Sequence, residues 1–142
     1  NSKEVVDFTK TSGLSSIYES VDARKSCCAM RKIRPLKAAC AGKEWWITGL
    51  RSNQSENRAS MSNVEDAPDW GLKKFHPLLN WSDQEVQSAL LKTGVPVNPL
   101  YAMGYKSIGC APCTRPVLPH EDARAGRWWW EQSSKECGLH RG

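Results

Sequence analysis

EWWIT, residues 44–48, predicts a short buried β-strand that ends at Gly49. Aromatic and β-branched side chains suit a pleated sheet, and a glycine after such a run marks its end. The residues that follow are polar and basic, and include Arg51 and Arg58. Ligands of open α/β sheets bind beyond the carboxyl ends of the strands, so this loop is a candidate ligand contact. A solvated surface loop is the alternative interpretation.

Local signals on both sides of this strand predict an α/β fold. The clearest helix covers 82–93, where Ser82 and Glu85 form a capping box and Gly94 ends the apolar pattern. Five prolines between 96 and 119 predict a stretch of turns. Further helices are expected at 2–12, at 22–33 with Asp22 as the cap, at 35–41 and at 121–132, and further short strands near 59–64 and 74–78.

Composition is that of a globular protein of modest size. The chain has 142 residues, a formal net charge of +5, 39% hydrophobic residues and 25% charged residues. No apolar run reaches the roughly 18 residues that a membrane span needs, and the first residues lack the apolar core of a signal peptide. We therefore expect a soluble, cytoplasmic protein. Since no strand-and-helix unit precedes the first helix, we expect 1–142 to be a single partial domain that starts within a larger one.

The six cysteines fall into a pattern typical of metal or redox chemistry. Cys27 and Cys28 are adjacent, and Cys110 and Cys113 form a Cys-x-x-Cys pair. Four thiolates can hold one iron-sulfur cluster or one zinc ion. Paired zinc ligands are normally two to four residues apart, so the adjacent pair favours the cluster. A zinc staple or unligated buried cysteines remain the alternatives.

A basic segment surrounds the adjacent cysteines. Residues 24–37 contain six Lys and Arg side chains and no acidic residue. On a helix, Lys32 lies one turn from Cys28. Cations in this position would stabilise the negative charge of a thiolate-bound cluster. A solvated basic face or a nucleic-acid contact is the alternative use of the segment.

Cys137 belongs to neither pair. It lies in the sequence Lys-Glu-Cys-Gly-Leu-His, which ends at His140. A neighbouring lysine and histidine can lower the pKa of a thiol and make it a nucleophile. An exposed thiol without a role is the alternative.

Taken together, these motifs resemble the assimilatory adenylyl-sulfate (APS) reductases, in the family that also holds the phosphoadenylyl-sulfate (PAPS) reductases. Five separate motifs follow the order of that family. They are CCxxRKxxPL at 27–36, WITGLR at 46–51, GCxPCTRP at 109–116, GRWWWE at 126–131 and ECGLH at 136–140.

The resemblance implies that the chain is the C-terminal part of a reductase domain. Its fold would be a partial Rossmann-like sheet of the adenine nucleotide alpha hydrolase type with helices, followed by an irregular cluster-binding segment and a C-terminal tail. Residues 105–142 would hold the cluster loop, a last helix and the catalytic tail. The implied cofactor is a 4Fe-4S cluster, and its ligands would be Cys27, Cys28, Cys110 and Cys113.

The resemblance also implies a two-step reaction in sulfate assimilation and cysteine biosynthesis. Cys137 would attack the sulfur of APS, release AMP and become an S-sulfocysteine, which reduced thioredoxin or a glutaredoxin would resolve to sulfite. The substrate contacts would be Lys32, Arg51, Arg124, Arg127 and His140. Nucleic acid and membrane are not expected as partners, and an oligomer is compatible with the sequence.

Two alternatives stay open at this point. The first is a PAPS reductase, or a reductase that uses both APS and PAPS. The second is a basic zinc or iron-sulfur module that binds nucleic acid, which the +5 charge and the seven tryptophans favour. That module would leave the surroundings of Cys137 unexplained.

Overall fold

The structure is a computed structural model that describes residues 3–13 and 15–131. It confirms the expected α/β fold. The α-helices are α1 (Lys3–Ser12), α2 (Val21–Cys28), α3 (Arg34–Cys40), α4 (Glu56–Ala59) and α5 (Asp83–Thr93), and the strands are β1 (Trp45–Ile47), β2 (Val64–Ala67) and β3 (Leu72–Phe75). Among these helices, none is both long and apolar enough to cross a membrane.

The three strands form one mixed sheet with the order β1-β3-β2. β1 runs parallel to β3, and β2 runs antiparallel to it. Residues beside β1 extend its pairing, because the Thr48 amide donates to the Phe75 carbonyl at 2.9 Å. The strands expected near 59–64 and 74–78 were placed inaccurately, because β2 begins at Val64, where the first of these ranges ends, and β3 ends at Phe75, near the start of the second.

The expectation that β1 is buried was wrong. Trp45 is 50% exposed and Ile47 is 67% exposed. In the described part of the chain, β1 pairs with β3 alone. Ile47 is aligned with Phe75, which is aligned with Val64, and all three are exposed. This face of the sheet therefore carries an exposed apolar row.

The chain divides into two compact units. In its described residues, the first unit comprises 3–13, 15–43, 69–71 and 130–131, and the second comprises 44–68 and 72–129. Ile17, Arg24 and Cys28 are buried residues of the first unit. The rings of Tyr18 and Trp130 also meet there edge to face, with centroids 4.5 Å apart.

Helical structure continues from 21 to 40 in the first unit. Ser20 caps α2 and accepts a hydrogen bond from the Ala23 amide at 3.1 Å, so the expectation that Asp22 is the cap was wrong. Asp22 lies in the first turn instead, where its charge suits the helix dipole. Between α2 and α3, the residues Ala29–Ile33 form a π-helical turn. This wider turn ends two residues before Pro35, whose ring disfavours a regular α-helical turn before it.

The second unit contains β1 to β3, α4 and α5. The capping box of α5 is confirmed, because Ser82 accepts from the Glu85 amide at 3.2 Å and Glu85 accepts from the Ser82 amide at 2.7 Å. These hydrogen bonds with Ser82 hold the pKa of Glu85 below its ordinary value. Gly94 ends the helix in the left-handed conformation, with φ of 64°.

The helix expected at 121–132 was wrong. Residues 121–131 form turns, and residue 132 lies outside the described part. The backbone here forms two turns, in which the Ala125 amide donates to the Asp122 carbonyl and the Arg127 amide to the Arg124 carbonyl, both at 2.9 Å. It also pairs with another loop, since the Arg115 amide donates to the Gly126 carbonyl at 3.0 Å and Thr114 forms a β-bridge with Arg127. Trp128 has a positive φ of 43°, which a helix does not allow.

Candidate anion pocket and cysteine pairs

A cavity of about 600 Å³ opens in the second unit beyond the carboxyl end of β1. Its lining includes Gly49 and Leu50, which follow the strand after Thr48. Among the lining residues in the described part of the chain, five are cations and one is a carboxylate, Asp83. The cations are Arg51, Arg58, Lys106, Arg124 and Arg127. This charge distribution suits an anionic ligand.

The turn after β1 fixes the backbone around Arg51. Thr48 Oγ1 and His76 Nδ1 lie 2.5 Å apart, and the same hydroxyl accepts from the Leu50 amide at 3.3 Å. His76 is completely buried. The Arg51 amide donates to Gln54 Oε1 at 3.2 Å, and Gln54 also accepts from the Arg58 guanidinium. These contacts hold two of the cavity's cations on one short loop.

Arg127 joins the cavity to the loop that holds the Cys-x-x-Cys pair. Its guanidinium donates to the Ile108 carbonyl at 3.1 Å. A Cβ atom added to Gly109 would lie 2.5 Å from the guanidinium carbon of Arg127. Residue 109 must therefore be glycine as long as the Arg127 guanidinium stays in this position.

Cys110 precedes a single turn of 3-10 helix, Ala111–Cys113, and Cys113 is the last residue of that turn. The Cys113 amide and the Thr114 hydroxyl both donate to the Cys110 carbonyl, at 2.9 and 3.0 Å. The Trp128 amide donates to the Cys113 carbonyl at 3.2 Å. The Arg127 guanidinium lies 4.6 Å from the ring centre of Trp128. Cavity and cysteine loop are thus built on the same segment, 126–128.

Cys27 and Cys28 end α2 in the first unit. Cys28 is buried and Cys27 is half-buried. Arg24, one turn earlier, donates to both carboxylate oxygens of Glu131 at 2.8 and 2.7 Å. Burial acts to lower the pKa of Arg24, but its hydrogen bonds and charge interactions with Glu131 and Cys28 outweigh that effect and raise it.

The cysteine pairs fit a thiolate-bound metal centre in their donor chemistry. All four thiols are free of disulfides. Thiolate is the form that ligates iron and zinc, and a buried cation such as Arg24 stabilises its charge. One pair lies in each unit, and the described residues of the chain contain no group of three or more His, Cys, Asp or Glu gathered as metal ligands.

The other expected site residues are distributed as follows. Arg51, Arg124 and Arg127 line the same cavity. Lys32 lies in the π-helical turn of the first unit and is half-buried. Cys137 and His140 lie outside the described residues.

Comparison with known proteins identifies the family. The family described as phosphoadenosine phosphosulfate reductase domain matches residues 2–116. The chain belongs to this phosphosulfate reductase family.

Curated relatives within the phosphosulfate reductase family are named adenosine 5'-phosphosulfate reductase. The protein of Allochromatium vinosum is 51% identical over 138 residues, which are 96% of this chain and 54% of that protein. The protein of Rhizobium tropici is 49% identical over 134 residues, or 94% of this chain and 74% of that protein. The chain spans about half the length of the relatives from Allochromatium vinosum, Rhizobium meliloti and Burkholderia cepacia.

A solved structure of the phosphosulfate reductase family shares the fold. The crystal structure of PAPS reductase from Candida auris, a phosphate complex, superposes with a TM-score of 0.61 and 31% sequence identity. The match covers 79% of this chain and 51% of that chain. It supports the expected adenine nucleotide alpha hydrolase-like fold.

Two features of this phosphosulfate reductase chain escaped the sequence analysis. Lys106 lines the cavity from a proline-rich stretch that carries no local signal for a ligand contact. The buried pair of Arg24 and Glu131 joins residues 107 positions apart. Arg24 could be counted in the basic segment, but no spacing rule links it to Glu131.

Proposed function

We propose that the protein reduces APS to sulfite and AMP, with a reduced thioredoxin or a glutaredoxin as the electron donor. The observation that carries this proposal is the five-cation cavity beyond β1, which suits a substrate with a phosphate and a sulfate group. The relatives named adenosine 5'-phosphosulfate reductase support it.

In the proposed first step, the Cys137 thiolate attacks the sulfur of the sulfate group. An S–S bond forms, the bond from sulfur to the bridging oxygen breaks, and AMP leaves with that electron pair. In the second step, a thiolate of the reductant attacks Cys137 Sγ and releases sulfite. The second thiol of the reductant then resolves the mixed disulfide, so that one dithiol is oxidised per sulfite formed.

The proposed work of the cavity is to bind and orient the anion. Arg51, Arg124 and Arg127 would donate charge-assisted hydrogen bonds to phosphate and sulfate oxygens. Such donors also stabilise the charge that moves onto the leaving phosphate in the transition state. Lys32 and His140 are proposed as further substrate contacts on the family resemblance of their motifs.

We also propose that Cys27, Cys28, Cys110 and Cys113 hold a 4Fe-4S cluster. The thiolate chemistry of the two cysteine pairs and the cation beside Cys28 support this assignment. When bound, such a cluster supplies a redox-capable, negatively charged centre. Iron and acid-labile sulfide, each at about four per chain after anaerobic purification, are expected. Zinc without sulfide would contradict the proposal.

The reductase domain is proposed to include 1–142 as its C-terminal part, with the cluster loop and catalytic tail in 105–142. A reaction that depends on reduced thiols suits a reducing compartment, so we place it in the cytoplasm.

The experiment that tests the activity is sulfite release from APS with reduced thioredoxin by the full-length protein. Cys137→Ser should abolish sulfite and AMP release. Cys40→Ser is the matched control, since Cys40 lies outside both cysteine pairs and should keep the wild-type rate. Sulfite release by Cys137→Ser at the wild-type rate would overturn the proposed mechanism.

PAPS is the second candidate substrate. The similarity to a PAPS reductase and the number of cations in the cavity favour it, because PAPS carries one more phosphate group. Relative kcat/KM values for APS and PAPS, measured with one preparation, distinguish the two substrates.

A further inference from the structure

The cavity is lined by a carboxylate as well as by cations, and a carboxylate repels anions. Asp83 is the carboxylate among its described lining residues, in contact with Arg51 at 2.6 Å between Oδ1 and a guanidinium nitrogen. The Arg51 side chain is 15% exposed, whereas that of Asp83 is 77% exposed. A largely buried cation is therefore partly neutralised by a carboxylate that solvent reaches.

The fold holds Asp83 in this position. It is the first residue of α5, directly after the cap Ser82. Acidic residues are common in the first turn of a helix, where the helix dipole favours a negative charge. Gln87, one turn further along α5, also lines the cavity. The N-terminal turn of α5 thus forms one side of the cavity and presents a negative charge to the ligand.

An anion that binds here meets two electrostatic effects from Asp83. It must compete with that carboxylate for the Arg51 guanidinium, and it is repelled by the carboxylate charge. The repulsion grows with the charge of the anion. Repulsive groups of this kind are a common source of discrimination between related ligands.

We propose that Asp83 is a specificity-determining residue, which disfavours anions that carry more phosphate groups. The proposal rests on the proposed function for the identity of the substrates, among which it makes APS better accepted than PAPS. Asp83 repels the anion directly, and it competes with the anion for the Arg51 guanidinium.

Direct binding tests the proposal without any turnover. The probes are inorganic phosphate and pyrophosphate, titrated by calorimetry into the full-length protein at low ionic strength. Asp83→Asn should bind pyrophosphate about two- to fivefold more tightly, the range expected for one exposed ion pair, and phosphate with a smaller gain. The gains should shrink in high salt. Asp83→Glu should stay close to the wild type.

The matched control is Asp66→Asn. Asp66 is also exposed and lies 3.8 Å from a lysine, Lys73, but outside the cavity. Its substitution should leave both affinities unchanged. Equal gains for both anions, no gain, weaker binding by Asp83→Asn, or no binding of either anion to any variant would each overturn the proposal.

Turnover then separates the proposal from the proposed function. The ratio of kcat/KM for PAPS to that for APS should rise about two- to fivefold in Asp83→Asn. If no variant releases sulfite from either substrate while the calorimetric pattern holds, the proposed reductase activity fails and the role of Asp83 in anion selection stands.

Discussion

Arg24 and Glu131 form a two-pronged ion pair inside the first unit, with side chains only 2% and 3% exposed. Arg24 lies one helical turn before Cys28, and Glu131 directly follows the three tryptophans. The pair therefore connects the helix that carries one cysteine pair to the last described residue of the chain. Because both charges are buried, each depends on the other for its stability.

Glu131→Gln should lower the free energy of unfolding by about 3–5 kcal/mol, because it leaves the buried Arg24 charge without its carboxylate partner. Urea denaturation followed by circular dichroism measures this change. The matched control is Glu4→Gln, which breaks the exposed pair of Glu4 and Arg34 and should cost at most about 1 kcal/mol. Equal losses in the two variants would contradict the assignment of a buried pair.

Gly126→Ala should destabilise the protein by about 1–3 kcal/mol through overpacking. The added Cβ would lie 2.2 Å from the Arg115 carbonyl oxygen, and a backbone atom in a paired loop cannot easily move away. Gly49→Ala is the control, because no atom lies within 4 Å of the added Cβ there. Urea denaturation should show the loss for Gly126→Ala and little change for the control.

Gly109→Ala should lower the affinity for phosphate clearly, and it should lower the free energy of unfolding less. The atoms in its way belong to the Arg127 guanidinium, which can move at its flexible end and would then leave its place in the cavity. Calorimetric titration of phosphate measures the effect. In a double-mutant cycle, Gly109→Ala should add no further loss once Arg127 is replaced by alanine. Additive losses would show that Gly109 acts by another route.

Glu121 should contribute to stability in a pH-dependent way. Its hydrogen bond with Arg115, and then that with the Leu118 amide, lower its pKa from 4.5 to about 2. A carboxyl with a lowered pKa in the folded state stabilises that state above its ordinary pKa, and the contribution is lost as the pH falls towards the folded-state value. The stabilisation is thus complete above about pH 4.5 and declines from there to about pH 2.

The variant Glu121→Gln tests the direction of this pH dependence. It should be less stable than the wild type at pH 6, and the difference should shrink between pH 4.5 and the acid limit of the urea experiment. A difference that stays constant with pH, or grows on acidification, would contradict the lowered pKa.

Sequence alone predicted the elements whose signals are local. The helix α5 has its capping box and its terminal Gly94 within one continuous segment, so its position followed from neighbouring residues. The strands β2 and β3 were found with shifted ends, because the pairing of Val64 with Phe75 depends on a partner outside the local pattern.

Elements set by distant contacts could not be predicted in this way. The segment 121–131 has a helix-compatible composition, yet its backbone pairs with Thr114 and Arg115. In the candidate site, the family motifs pointed to Arg51, Arg124 and Arg127, which the fold brings to one cavity. The same motifs gave no reason to expect Lys106 there, because its position follows from the path of the loop.

The π-helical turn Ala29–Ile33 has a consequence for any insertion or deletion between the cysteine pair and α3. Such a turn contains one residue more than an α-helical turn of the same kind. Deletion of a single residue from it would leave a regular α-helical turn and keep the rotation of Cys28 about the helix axis relative to α3, whereas a deletion from a regular turn would change that rotation by about 100°. The π-helical turn is therefore the place between Cys28 and α3 where the loss of one residue changes the relative orientation of the two least.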